Sequence, residues 1–145
     1  MIYETYSEEE TKRLGIKIGK NSNAGEIYCL IGDLGVGKTA FAKGLAQGLN
    51  IKEHITSPTF TVINEYEGIL PLYHFDVYRI TDIDEMDEIG YEEYFYGNGV
   101  CLIEWANMIE DLIPESAIWV NIQKDLNKDE NYRKIMICNK KEGEN

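Results

Sequence analysis

Residues Gly32-Asp33-Leu34-Gly35-Val36-Gly37-Lys38-Thr39 fit G-x-x-x-x-G-K-[ST], the Walker A or P-loop pattern. No other stretch limits the possible folds as strongly. Glycines let the backbone curl so that successive N–H groups point inward and cradle phosphate oxygens. The following helix aims its positive N-terminal end at the same point. Lys38 can then reach the β- and γ-phosphates as a point charge, and the Thr39 hydroxyl can ligate Mg²⁺. The flanks fit this reading. Glu26-Ile27-Tyr28-Cys29-Leu30-Ile31 is an apolar run of strand length, and Thr39 to Leu49 is apolar at helical spacing through Phe41, Leu45 and Leu49. Phosphate contacts are expected from Gly32 to Thr39 and from Ala40, which opens the helix.

A strand–loop–helix unit needs a sheet to join. The 145 residues suit one domain, and 43% hydrophobic content supplies its core. The expected domain covers residues 1–139, with 140–145 as a frayed tail. No run approaches the roughly 18 apolar residues of a membrane span. The N-terminus also lacks the form of a signal peptide, so a cytoplasmic location with no membrane partner is expected. Cys29, Cys101 and Cys138 are far apart in apolar runs and read as small core residues, not as metal ligands.

The net charge of −12 disfavours direct contact with an RNA backbone. Arginine occurs only as Arg13, Arg79 and Arg133. A fast NTPase usually needs an arginine near the transferring phosphate, so slow turnover is expected of the chain alone.

Along the chain, Ser7 to Lys20 reads as a helix, with Ser7 as N-cap and Glu10 closing a capping box. Asn50 to Pro58 is a loop. Thr59 to Tyr66 and Leu70 to Tyr78 read as strands that can pair as a hairpin across Glu67-Gly68. Thr81 to Tyr96 carries seven acidic side chains and no basic one, in one or two short helices. That segment is either a solvated face or a docking surface for a basic partner. Val100 to Ile103 is a short strand ending at Glu104, and Trp105 to Leu112 a short helix stopped by Pro114. Ala117 to Ile122 and Tyr132 to Cys138 close the fold as strands. The expected class is α/β: a central, mostly parallel sheet with antiparallel additions and helices on both faces.

Walker B sites place an acid at the end of an apolar strand beside the P-loop strand. Glu104 and Asp76 both fit. An acid inside an apolar run is costly to bury unless it is paired or near a metal. Glu104 could instead be an exposed strand end, and Asp76 could pair with Arg79 or act as a cap. His74 and Asp76 lie two residues apart and share a strand face, so they can form a hydrogen-bonded pair.

Four motifs, Gly32 to Thr39, Ser57-Pro58-Thr59-Phe60, Tyr73-His74-Phe75-Asp76-Val77-Tyr78-Arg79 and Ile103-Glu104-Trp105, occur in the order and rough spacing of the TsaE (YjeE) family. The chain resembles that family from about Thr11 to Pro114. The resemblance implies an ATP-binding and ATP-hydrolysing bacterial accessory protein. It would serve the threonylcarbamoyladenosine modification of tRNA adenosine 37 without transferring the group itself. It would act with the TsaD–TsaB complex and meet tRNA only through it. Lys38 would sit on the β/γ-phosphates, and Mg²⁺ would lie near Thr39, Glu104 and Asp76, with Glu104 polarising the attacking water. Ser57 to Thr59 would form a switch-like loop near the γ-phosphate, and Thr11 would approach the nucleotide, ATP or ADP. Trp105 would lie beside the site or serve as a buried aromatic anchor. Ala106 departs from the proline that many members place after the Glu-Trp pair, which affects only the start of a short helix.

Two other classes share the motif. A small-molecule kinase would usually bring lid arginines, which are scarce here. A regulatory nucleotide-binding module would bind without useful turnover. No N-K-x-D guanine-reading motif occurs; Asn127-Lys128-Asp129 lacks its spacing.

Overall fold

The apolar runs flanking the glycine loop become neighbouring parallel strands. In the computed structural model, which describes residues 1–33, 37–58 and 61–139, β2 (Ile27–Ile31) lies between β5 (Val100–Glu104) and β6 (Ile118–Gln123), parallel to both. Beyond β5 lie β4 (Leu72–Asp76), parallel to it, and β3 (Ile63–Tyr66), antiparallel to β4 as a hairpin. Beyond β6 lie β7 (Arg133–Cys138) and β1 (Ile2–Thr5), each antiparallel to its neighbour. Among the described residues these seven strands form one sheet of order β1-β7-β6-β2-β5-β4-β3. β2 and β5 alternate between two cores, so they are apolar almost throughout, as strands covered on both faces must be.

Side chains on one face, including Leu30, Leu72, Leu102 and Ile122, pack with Leu14 of α1 (Glu8–Lys20) and Phe41 and Leu45 of α2 (Lys38–Gly48). On the other face Cys29, Phe75 and Ile103 pack with Met86 of α3 (Asp84–Ile89), Phe95 of α4 (Tyr91–Phe95), and Ala106 and Ile109 of a 3-10 helix (Ala106–Leu112). Cys29 and Cys101 are buried core thiols and Cys138 is half-buried; none forms a disulfide among the described residues. No helix among the described residues is long and apolar enough to cross a membrane.

Helices α1 and α2 meet along glycines. A Cβ on Gly44 would stand 2.1 Å from the Lys12 carbonyl oxygen, and one on Gly48 would stand 2.3 Å from that of Ile16. From the other side, a Cβ on Gly15 would meet Phe41 O at 2.6 Å. The backbones are therefore in contact, a closeness that only glycine permits. The N-terminus of α1 is fixed by Ser7, whose Oγ accepts from Glu10 N at 3.1 Å. The return bond of the expected capping box is displaced by one residue: Tyr6 N, not Ser7 N, donates to Glu10 Oε1 at 2.9 Å.

Several boundaries differ from the sequence expectation. β1 carries no pattern strong enough to read and forms because β7 offers it an edge. The strand expected over Thr59 to Tyr66 begins only at Ile63, because Val62 turns with φ 69°. Residues 59–60 lie outside the described residues. β4 stops at Asp76, after which Val77 N donates to Glu104 O at 3.2 Å. The Thr81 to Tyr96 segment is two helices, divided where Gly90 takes φ 79°. The helix after Trp105 is 3-10, not α, and is kinked at Ile109.

Candidate functional site

The site forms where the parallel strands end. After β2 the chain turns at Gly32 with φ 148° and enters α2 through Gly37 with φ 108°, both backbone conformations that favour glycine. Leu34, Gly35 and Val36 lie outside the described residues. Gly37 is the N-cap of α2 and supplies no side-chain bond. No cap side chain therefore covers the first N–H groups of that helix, the groups by which helix N-termini bind anions.

Lys38 is 6% exposed. Its Nζ donates to Gly32 O at 2.9 Å and lies 4.1 Å from the centre of the Trp105 ring. Burial pushes its ammonium below the ordinary lysine value, opposed by the carboxylates of Glu104, Asp76 and Asp33. Trp105 occupies this place because it leaves β5 with φ 64°, rare for a non-glycine residue. The Trp105 ring also meets Tyr78, with ring centres 4.6 Å apart. Trp105 thus lies beside Lys38 and also packs, half-buried, against the core on the other face.

Asp76 and Glu104 are register partners at the ends of β4 and β5, so their side chains leave the sheet on one face. Asp76 is 7% exposed and accepts from Tyr78 N at 3.0 Å. Glu104 is not an exposed strand end: its side chain is 13% exposed, and its Oε2 lies 2.6 Å from His74 Nε2. The pairing of His74 with Asp76 that the sequence suggested is therefore not formed. Parallel register carries His74 towards the longer side chain on the neighbouring strand.

Lys38, Asp76 and Glu104 border a cavity of about 430 Å³, lined also by Thr11, Gly37, Thr39, Ala40, Ser57 and Trp105. Its volume is that of a small-molecule site. Thr11 Oγ1 lies 2.8 Å from Thr5 Oγ1, which ties α1 to β1 at the rim. Asp33 is not brought into this cavity. With Gly32 it borders a separate depression near Asn121 and Lys124. Thr59 lies outside the described residues.

Ser7, Glu8, Asn131 and Arg133 also line the cavity, and sequence reasoning assigned none of them a site role. Topology explains the last two. An antiparallel strand starts where its parallel neighbours end, so the beginning of β7 reaches the site. Arg133 Nη1 donates to the carbonyls of Glu130 and Tyr132, both at 2.7 Å. Its Nε stands 3.9 Å from where a Cβ on Gly37 would be. An arginine of β7 thus borders the cavity beside Gly37.

Among the described residues no group of three or more His, Cys, Asp or Glu forms a metal cluster. One or two carboxylates with a hydroxyl nevertheless suit a hard cation that keeps waters and takes phosphate oxygens, as Mg²⁺ does. Thr39, Asp76 and Glu104 are such a donor set, borne by one cavity.

The family model described as Threonylcarbamoyl adenosine biosynthesis protein TsaE matches residues 5–135. The tRNA threonylcarbamoyladenosine biosynthesis protein TsaE of Bacillus subtilis is 46% identical over 84% of this chain and 77% of its own. Its namesake in Aquifex aeolicus is 40% identical over 92% of each chain, and that of Treponema pallidum is 44% identical over 81% of this chain and 87% of its own. The crystal structure of Bacillus subtilis YdiB superposes with a TM-score of 0.79 at 39% identity, covering 94% of this chain and 83% of that one. With matches of this extent on a sheet whose central strand feeds a glycine loop, the chain belongs to the TsaE family of tRNA threonylcarbamoyladenosine biosynthesis.

Proposed function

We propose that this chain binds ATP with Mg²⁺ and hydrolyses it slowly, and that it does so in support of the TsaD–TsaB complex in modifying tRNA adenosine 37. The observation that carries the reading is the convergence of Lys38, Thr39, Asp76 and Glu104 on one cavity at the N-terminus of α2. Bound Mg²⁺ supplies charge neutralisation on the phosphates. The chain's own residues do the rest. Lys38 exchanges its contact with Gly32 O for phosphate oxygens, and the first N–H groups of α2 hold the same anion. Thr39, Asp76 and Glu104 would hold the cation or its waters. Glu104 orients the attacking water. Ser57, which lines the cavity, senses the terminal phosphate, so its loop differs between nucleotide states and sets the affinity for the complex. Arg133 faces the same anion from β7.

The test is the ATPase rate as a function of TsaD–TsaB concentration, run beside Glu104→Ala. A rate that rises with the complex and falls in the variant supports the reading. Absence of hydrolysis with and without the complex would refute it.

A further inference from the structure

We propose that His74 is a positioning residue for Glu104: its buried Nε2–H holds one carboxylate oxygen so that the other is presented to the metal–nucleotide. The claim rests on the nucleotide reading above. His74 is 2% exposed, and its Nε2 lies 2.6 Å from Glu104 Oε2, the short distance of a charge-assisted bond. A carboxylate only accepts, so Nε2 carries a hydrogen in this bond. Nδ1 is buried and has no hydrogen-bond partner among the described residues.

That last fact separates this histidine from a routine core residue. On the same face lie Asp76, two residues on, and Asn64, its register partner on β3, beside an apolar stretch of Leu72, two residues back on β4, and Leu102, its register partner on β5, both fully buried. A leucine at position 74 would continue that face without burying an unsatisfied nitrogen, which is itself destabilising. The imidazole therefore contributes something packing does not require, and what it contributes is the bond to Glu104. Oε2 is engaged there, so Oε1 is the oxygen presented to a ligand. Residues that orient metal-site carboxylates through hydrogen bonds work in this way.

The chain has two histidines, and His54 is exposed, so ¹⁵N-histidine spectra of the full chain are readily assigned with His54→Gln. The expected spectrum shows a hydrogen on Nε2 of His74; a bare Nε2 would overturn the proposal. Two variants then test the consequence. His74→Leu fills the space without a donor, and His74→Gln keeps an N–H of similar reach. Mn²⁺ binding to the ADP-loaded protein, read by electron paramagnetic resonance, and kcat with the complex should both fall about 10–100-fold in His74→Leu. Metal-free ADP affinity should hold, and His74→Gln should recover most of the loss. Wild-type behaviour of His74→Leu, or equal losses in both variants, would overturn the positioning role while leaving the nucleotide site standing. Failure of the wild type to bind Mn²⁺ with ADP would instead overturn the nucleotide reading and the positioning role with it.

Discussion

Replacing Gly44 by alanine puts a methyl group where α1 and α2 touch. In an exposed helix this change stabilises by about 1 kcal/mol, because glycine is the poorer helix former. Here the new Cβ would stand 2.1 Å from Lys12 O and 3.0 Å from Lys12 C. Both are backbone atoms and cannot swing aside as a flexible side chain would. Ordinary contact begins near 3.4 Å, so α1 must retreat by roughly 1 Å, opening the packing of Leu14 against Phe41 and Leu45. Overpacking costs about 1–3 kcal/mol, and the rigid neighbours put this case at or above the upper end. After the propensity gain, the net loss is about 2 kcal/mol, or about 4–8 °C in Tm. Because α1 carries Ser7, Glu8 and Thr11 to the cavity rim, ADP affinity should fall as well. Calorimetric unfolding and ADP titration of Gly44→Ala, with the exposed Gln47→Ala as control, provide the measurement. A Gly44→Ala protein as stable as the wild type or more so would refute the claim that glycine-only contact fixes α1.

Lys38→Met should weaken ADP binding strongly. Burial lowers the wild-type Lys38 pKa, so between the folded and the ordinary lysine values the unfolded chain binds more protons. Stability should rise with pH through that window in the wild type, and the variant should lack the rise in urea unfolding. Glu104→Ala should keep ADP binding while hydrolysis with the complex falls about 10²-fold or more, and wild-type turnover would remove Glu104 from the site. Ser7→Ala removes the cap on α1 and should cost about 1 kcal/mol in unfolding free energy. The isolated chain should bind tRNA weakly, given its net charge of −12; tight, salt-sensitive binding in a filter assay would contradict this.

The sequence alone determined the strand–loop–helix around Lys38, because glycine, lysine and threonine at fixed spacing leave the backbone few alternatives. It also determined the parallel centre of the sheet, because Ile27 to Ile31 and Val100 to Ile103 are apolar on both faces. Asp76 and Glu104 were legible for a related reason: an acid closing an apolar strand conflicts with burial unless it has a use. What the sequence could not supply was pairing across strands. The bond of His74 to Glu104, rather than to Asp76, depends on the register of β4 and β5, which no local pattern encodes. Asn131 and Arg133 enter the cavity only because β7 runs antiparallel and therefore begins at the carboxyl ends of the parallel strands. The four glycines of α1 and α2 are weak helix formers taken singly. Their role exists only when the two helices meet, because close approach of two backbones belongs to the pair and not to either segment.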